Sequence, residues 1–146
     1  MDLEPEHHVM RHTKKRCTLK DEHGSIVKLL PQAFELRTKD GENEKNLSVN
    51  WIEYFNGVAF EQNIRQTIID FRAYYTPNKS SVFALATVRK VLEASQKLGH
   101  NKIKIVHDGK KTSHSSIKHM PFNDHDLMTL YASAAFTDIR MNTDYS

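Results

Sequence analysis

The residues best equipped for chemistry lie in one stretch, Leu98 to Met120, which reads LGHNKIKIVHDGKKTSHSSIKHM. It holds five Lys, four His and one Asp, with Thr112, Ser113, Ser115 and Ser116 interleaved. Ammonium, imidazole and hydroxyl groups together suit a phosphate or a carboxylate, because each can donate a hydrogen bond to an anionic oxygen. The expected anion-binding set is Lys104, Lys110, Lys111, Ser113, Ser115 and Lys118. His107 and His114 flank a Gly-containing loop, and two imidazoles with separated pKa values can act as base and acid on a phosphoester. Lys110 or Lys111 would then face developing negative charge. Asp108, beside His107, is a candidate orienting partner, although neighbours along an extended chain point to opposite sides. A surface loop with incidental histidines is the plain alternative.

Other chemistries find less support. His107, Asp108, His114, His119 and His125 could donate to a metal, but their spacing matches no ligand pattern, and no metal or cofactor is expected. The chain lacks GxxxxGK[ST], GxGxxG, GxSxG and CxxC. Cys17 is the single cysteine, which excludes an internal disulfide framework. Nearby cations could lower its pKa, but it reads as an incidental reducible thiol.

Two resemblances attach to this region. His114-Ser-Ser-Ile117 is similar to the His-x-Ser/Thr-apolar pattern that two-histidine phosphoesterases carry twice, but there is one copy here, which assigns no family. LSVNW at 47–51, VHD at 106–108 and SHSSI at 113–117, in that order, resemble segments of a group of small uncharacterised bacterial proteins. That resemblance implies a bacterial, intracellular protein with a shared site around His107 and His114, and no activity. Gly109 stands where the resemblance leads one to expect Pro.

The chain that positions these groups has 146 residues, which suits one domain with a modest core. Its 21 Lys and Arg against 18 Asp and Glu give +3, too small a balance to demand nucleic acid. No apolar run approaches the roughly 20 residues of a membrane span. The acidic start MDLEPEHH is unlike a signal peptide. A cytoplasmic protein without membrane partners is therefore expected.

Residues 1–24 show little periodicity and read as a polar, partly ordered arm with a basic stretch, Arg11 to Lys20; residues 25–146 read as the domain. Ser25 to Leu36, broken by Pro31, suggests two short strands or a strand and a turn. RTKDGENEKN, at 37–46, reads as a hairpin tip. Leu47 to Trp51 alternates as a strand, with Trp51 as a core anchor or, with Tyr54 and Phe55, an exposed protein-binding patch. Phe60, Ile64, Ile68, Phe71 and Tyr75 mark a helix. Val82 to Thr87 reads as a buried strand, Val88 to Leu98 as a helix closed by Gly99, and Lys102 to Val106 as a strand. These three could form a tight βαβ unit. Asn123 or Asp124 can cap a last helix over about 125–137, with Leu127, Leu130, Tyr131 and Ala134 inward.

The pattern predicts an α+β domain, a small mostly antiparallel sheet with about three packed helices. The expected function is an accessory or binding domain that recognises an anionic ligand through the Lys/His/Ser loop: nucleic acid, a nucleotide, or an acidic surface within a larger protein complex. The alternatives are a metal-independent phosphoesterase or nuclease using His107 and His114, and an interaction subunit using the aromatic patch.

Overall fold

The computed structural model describes residues 1–145. A six-stranded sheet with every neighbouring pair antiparallel carries the fold. Its strands are β1 (His8–Thr13), β6 (Leu47–Trp51), β7 (Val82–Thr87), β8 (Lys104–His107), β9 (His114–Lys118) and β10 (Asp138–Met141). Their order is β10-β7-β1-β6-β9-β8. Two hairpins stand apart, β2 (Thr18–Lys20) with β3 (Ile26–Leu29), and β4 (Thr38–Lys39) with β5 (Glu42–Asn43). The helices are α1 (Phe60–Arg72), α2 (Val88–Lys97) and α3 (His125–Leu130). The α+β class and the antiparallel sheet agree with the sequence reading.

Side chains alternate across a strand, so each strand feeds two cores. Val82, Ala84 and Ala86 of β7 enter the larger core, with Leu47, Val49, Ile105 and Ile117 from the other strands. Phe83 and Leu85 enter the smaller one, with Met10 and with Ile64 and Ile68 of α1. This double burial explains the unbroken apolar run of β7. α2 and α3 cover the first face. On the second face α1 covers β1 and β7, and the β6–β9–β8 half carries polar groups.

Thr87 caps α2 by accepting from the Lys90 N–H, and Gly99 ends it in the left-handed region at φ +82°. Asp124 caps α3 through the Leu127 N–H. The helix expected over 125–137 gives way to a π turn at Tyr131–Ala135. The extra residue per turn rotates the inward set. Ala132 and Ala135 are therefore buried and Ala134 is exposed.

The N-terminal segment differs most from expectation. β1 lies inside the sheet, paired with β7 over its whole length from His8↔Thr87 to Thr13↔Val82, and with β6 at Val9 and Met10. Residues 1–3 run along the edge of β8, with the Leu3 N–H donating to the Ile105 carbonyl at 2.9 Å. This segment is not an arm. Its periodicity is masked because Arg11, His12 and Thr13 occupy strand positions that usually hold apolar residues. β7 and β8 point the same way, but β1, β6 and β9 separate them, so they form no adjacent βαβ pair.

Candidate functional site

His107 and His114 do not meet. The β8–β9 register sets His107 opposite Ser115, which places His114 on the other face of the sheet. His107 packs against Trp51 and Tyr54, at ring separations of 5.3 and 5.1 Å, and its Nε2 is 2.7 Å from the Thr112 carbonyl oxygen. Trp51 also contacts His7 at 5.1 Å. Trp51, Tyr54 and Phe55 are half-buried, and Trp51 packs on the larger core. The acid–base pair expected from spacing is therefore replaced by two unrelated environments.

The anion-binding set also divides. Ser113 and Ser115 are fully buried. The Ser113 hydroxyl donates to Asp70 Oδ2 and accepts from Asn50 Nδ2 at 2.8 Å, and the Ser115 hydroxyl donates to the Ser113 carbonyl at 3.1 Å. Neither is free to take a ligand. Lys110 and Lys111 are exposed on the loop. Lys104 and Lys118 face each other across β8–β9, on the same side as His114.

Asp108 orients His114 rather than its neighbour. Its Oδ1 lies 2.6 Å from His114 Nδ1, and its Oδ2 accepts from the Ser116 hydroxyl at 2.6 Å. Burial alone would raise the Asp108 carboxyl pKa, but the hydrogen bonds from Ser116 and His114 outweigh it and hold the group below the ordinary carboxylate range. The loop makes this possible. The Gly109 N–H donates to the His114 carbonyl at 2.9 Å, and Lys111 takes the left-handed conformation at φ +60°. A Cβ on Gly109 would clash with Thr112 Oγ1 and stand 2.9 Å from the Thr112 carbonyl oxygen. Only glycine fits there.

His114 Nε2 in turn lies 3.3 Å from the Ser48 hydroxyl on β6. Ser48 is at the rim of a cleft of about 610 Å³ that opens where β1 and β6 part. Their pairing stops at Met10↔Asn50, and beyond it the Arg11 side chain fills the gap. Arg11 Nη1 donates to the Ser48 carbonyl at 2.9 Å and Nε to the Ala33 carbonyl at 3.1 Å. Desolvation first, and the nearby Arg37 charge second, lower the Arg11 pKa to about 10. Arg11, Lys14, Arg16 and Arg37 line the cleft against Glu35 and Glu44, a surplus of cations. Glu44 is engaged with Arg37 Nε at 3.4 Å.

Tyr74 and Tyr75, just past α1, form an aromatic wall. Asn50 Nδ2 donates to the Tyr74 hydroxyl at 3.0 Å, while Asp70 holds Ser113, so the end of α1 is tied to the sheet. His12 packs against Phe71, Tyr75 and Phe83. Desolvation, then Arg11 and Lys14, lower its pKa to about 4, which keeps it neutral. Two atoms of cleft-lining residues, His12 Nε2 and Thr13 Oγ1, are buried without a hydrogen-bond partner. Among the described residues, no group of three or more His, Cys, Asp or Glu converges as a metal site.

Sequence reasoning found His114, Asp108 and the basic stretch, but not their meeting with Ser48, Asn50 and Tyr74. The one available signal was alternation in LSVNW, which sets Ser48 and Asn50 on the face opposite Leu47 and Val49. Comparison with protein-family models, curated proteins and solved structures gives no match. The bacterial grouping implied by the resemblance thus gains no support from them. No helix among the described residues is long and apolar enough to cross a membrane.

Proposed function

We propose that the chain is a binding protein for a phosphorylated ligand of nucleotide size, seated in the cleft between β1 and β6. The observation that carries this reading is Arg11. It is a desolvated cation whose hydrogen bonds, among the described residues, go only to neutral carbonyl oxygens. Arg11 is half-buried and Glu44 acts on it only through space, so an anion in the cleft would supply the directly bonded acidic partner that its guanidinium lacks. The Arg37 charge beside it adds to the repulsion that an anion would cancel. The cleft volume of about 610 Å³ lies in the range of small-molecule sites. Tyr74 and Tyr75 offer ring faces to a base, and the two unpartnered buried atoms offer further polar contacts. Lys104 and Lys118, on the same open face, would extend the field toward a longer phosphate chain.

Isothermal titration with AMP, inorganic phosphate and a short single-stranded oligonucleotide tests this. Binding at low salt that weakens at about 0.2 M salt is expected, because exposed charge interactions are screened. Arg11→Gln should weaken AMP at least about tenfold, the order of one charge-assisted hydrogen bond. Phosphate binding without AMP preference would remove the base-stacking role of the tyrosines. A preference for the oligonucleotide would make nucleic acid the ligand. No binding of any of the three at low salt overturns the reading.

A further inference from the structure

We propose that Ser48, His114 and Asp108 form a nucleophilic triad that hydrolyses a carboxylic ester bearing an anionic group. The three lie in the order the chemistry requires: Ser48 Oγ 3.3 Å from His114 Nε2, and His114 Nδ1 2.6 Å from Asp108 Oδ1. Such a triad is recognised by geometry and role, not by chain position or fold. The separation at Ser48 is within the looser range of ligand-free sites.

The register explains how three distant segments meet. Ser48 pairs with Ser116 and Asn50 with His114, so His114 is diagonal to Ser48 on one face. Asp108 follows the end of β8 and turns back toward that face, tied by its N–H and that of Gly109 to the His114 carbonyl. An ionised carboxylate only accepts hydrogen bonds. Nδ1 of a neutral His114 therefore carries the ring proton, and the Nε2 lone pair faces the Ser48 hydroxyl. Ser116 occupies the second Asp108 oxygen at 2.6 Å and fixes the carboxylate plane. Ser48 is exposed at the rim of the cleft, and the Arg11 guanidinium donates to its backbone carbonyl oxygen at 2.9 Å.

In the first half-reaction Ser48 Oγ attacks the ester carbonyl carbon as His114 Nε2 takes the hydroxyl proton. The bond to the alcohol oxygen breaks, and His114 returns that proton to the leaving alkoxide. Water then attacks the acyl carbon and gives a proton to His114. Ser48 Oγ leaves and regains it, releasing the carboxylic acid. Asp108 is a positioning residue that holds the imidazole tautomer. The choice of an anionic substrate rests on the cleft reading above; the triad itself does not.

The test uses a fluorophosphonate reagent, intact mass and peptide mapping on the full chain. One adduct on Ser48 is expected, absent in Ser48→Ala. His114→Gln should slow labelling at least about 100-fold, the low end for loss of a general base. Asp108→Asn should slow it and alter its pH profile, because an amide cannot select the same tautomer. The wild type should hydrolyse the 4-nitrophenyl hemiester of succinate faster than 4-nitrophenyl acetate, and salt should erase that preference. Ser48 is exposed, so Ser48→Ala should keep the wild-type melting temperature. No adduct on Ser48, or one insensitive to His114→Gln, overturns the triad; AMP binding by the wild type would then show the cleft reading intact. Labelling with no hemiester preference overturns the substrate class.

Discussion

Asp108 reaches His114 Nδ1 at 2.6 Å across the β8–β9 turn, while its sequence neighbour His107 points to the opposite face. A partner six residues away thus prevails over the adjacent one. A turn built on Gly109 brings the end of β8 over the start of β9, and the pleat sends His107 toward Trp51. The site is accordingly one histidine, its carboxylate and a serine from a third strand.

His12 should make stability pH-dependent. Its pKa falls from 6.5 in the unfolded chain to about 4 in the fold, with desolvation the main cause. Between those values the unfolded state binds more protons, so stability is full above about pH 6.5 and is lost as pH falls toward 4. Urea midpoints measured across this window should decline in the wild type. His12→Leu, which keeps the packing against Phe71 and Phe83, should flatten the decline. A slope unchanged by the substitution would place the titrating group elsewhere.

Gly109→Ala should loosen the turn. The added Cβ clashes with Thr112 Oγ1 and meets the Thr112 carbonyl oxygen at 2.9 Å, and the second atom is backbone and cannot rotate away. A loss of about 1–3 kcal/mol is expected, the usual penalty of overpacking. The nitrogen resonances of His114 should shift as Asp108 moves. Wild-type stability and resonances together would show that the turn yields freely.

Trp51→Ala should cost about 3 kcal/mol, the low end for removal of a large aromatic, because the ring is only half-buried. Denaturant midpoints at constant slope measure it. An unchanged midpoint accompanied by loss of a protein partner would restore the exposed-patch role for Trp51, Tyr54 and Phe55.

The elements legible from sequence are those in which one period dominates. Phe60 to Phe71 repeats at helical spacing and buries one stripe under the sheet. Val82 to Thr87 is apolar on both faces, Asp40-Gly41 turns a hairpin, and Gly99 closes α2, each for a local reason written in the residue types. β1, β9 and β10 were not legible. Arg11, His12, Ser115 and Ser116 are polar residues in strands, so no apolar period marks them: Arg11 meets a carbonyl and His12 rings far away in the chain, and the serines bond within the β8–β9 turn region.

The sequence by itself determined the chemistry on offer: imidazole, carboxylate, hydroxyl and a surplus of cations in two separate stretches. Only the tertiary structure decided which groups share a face. Strand pairing selects neighbours by register, and a shift of one residue exchanges every side chain between faces. That parity sends His107 to the aromatic cluster and His114 to Ser48. The parting of β1 from β6 then sets Arg11 beside Ser48 and opens the cleft, an outcome of long-range pairing that no local window contains.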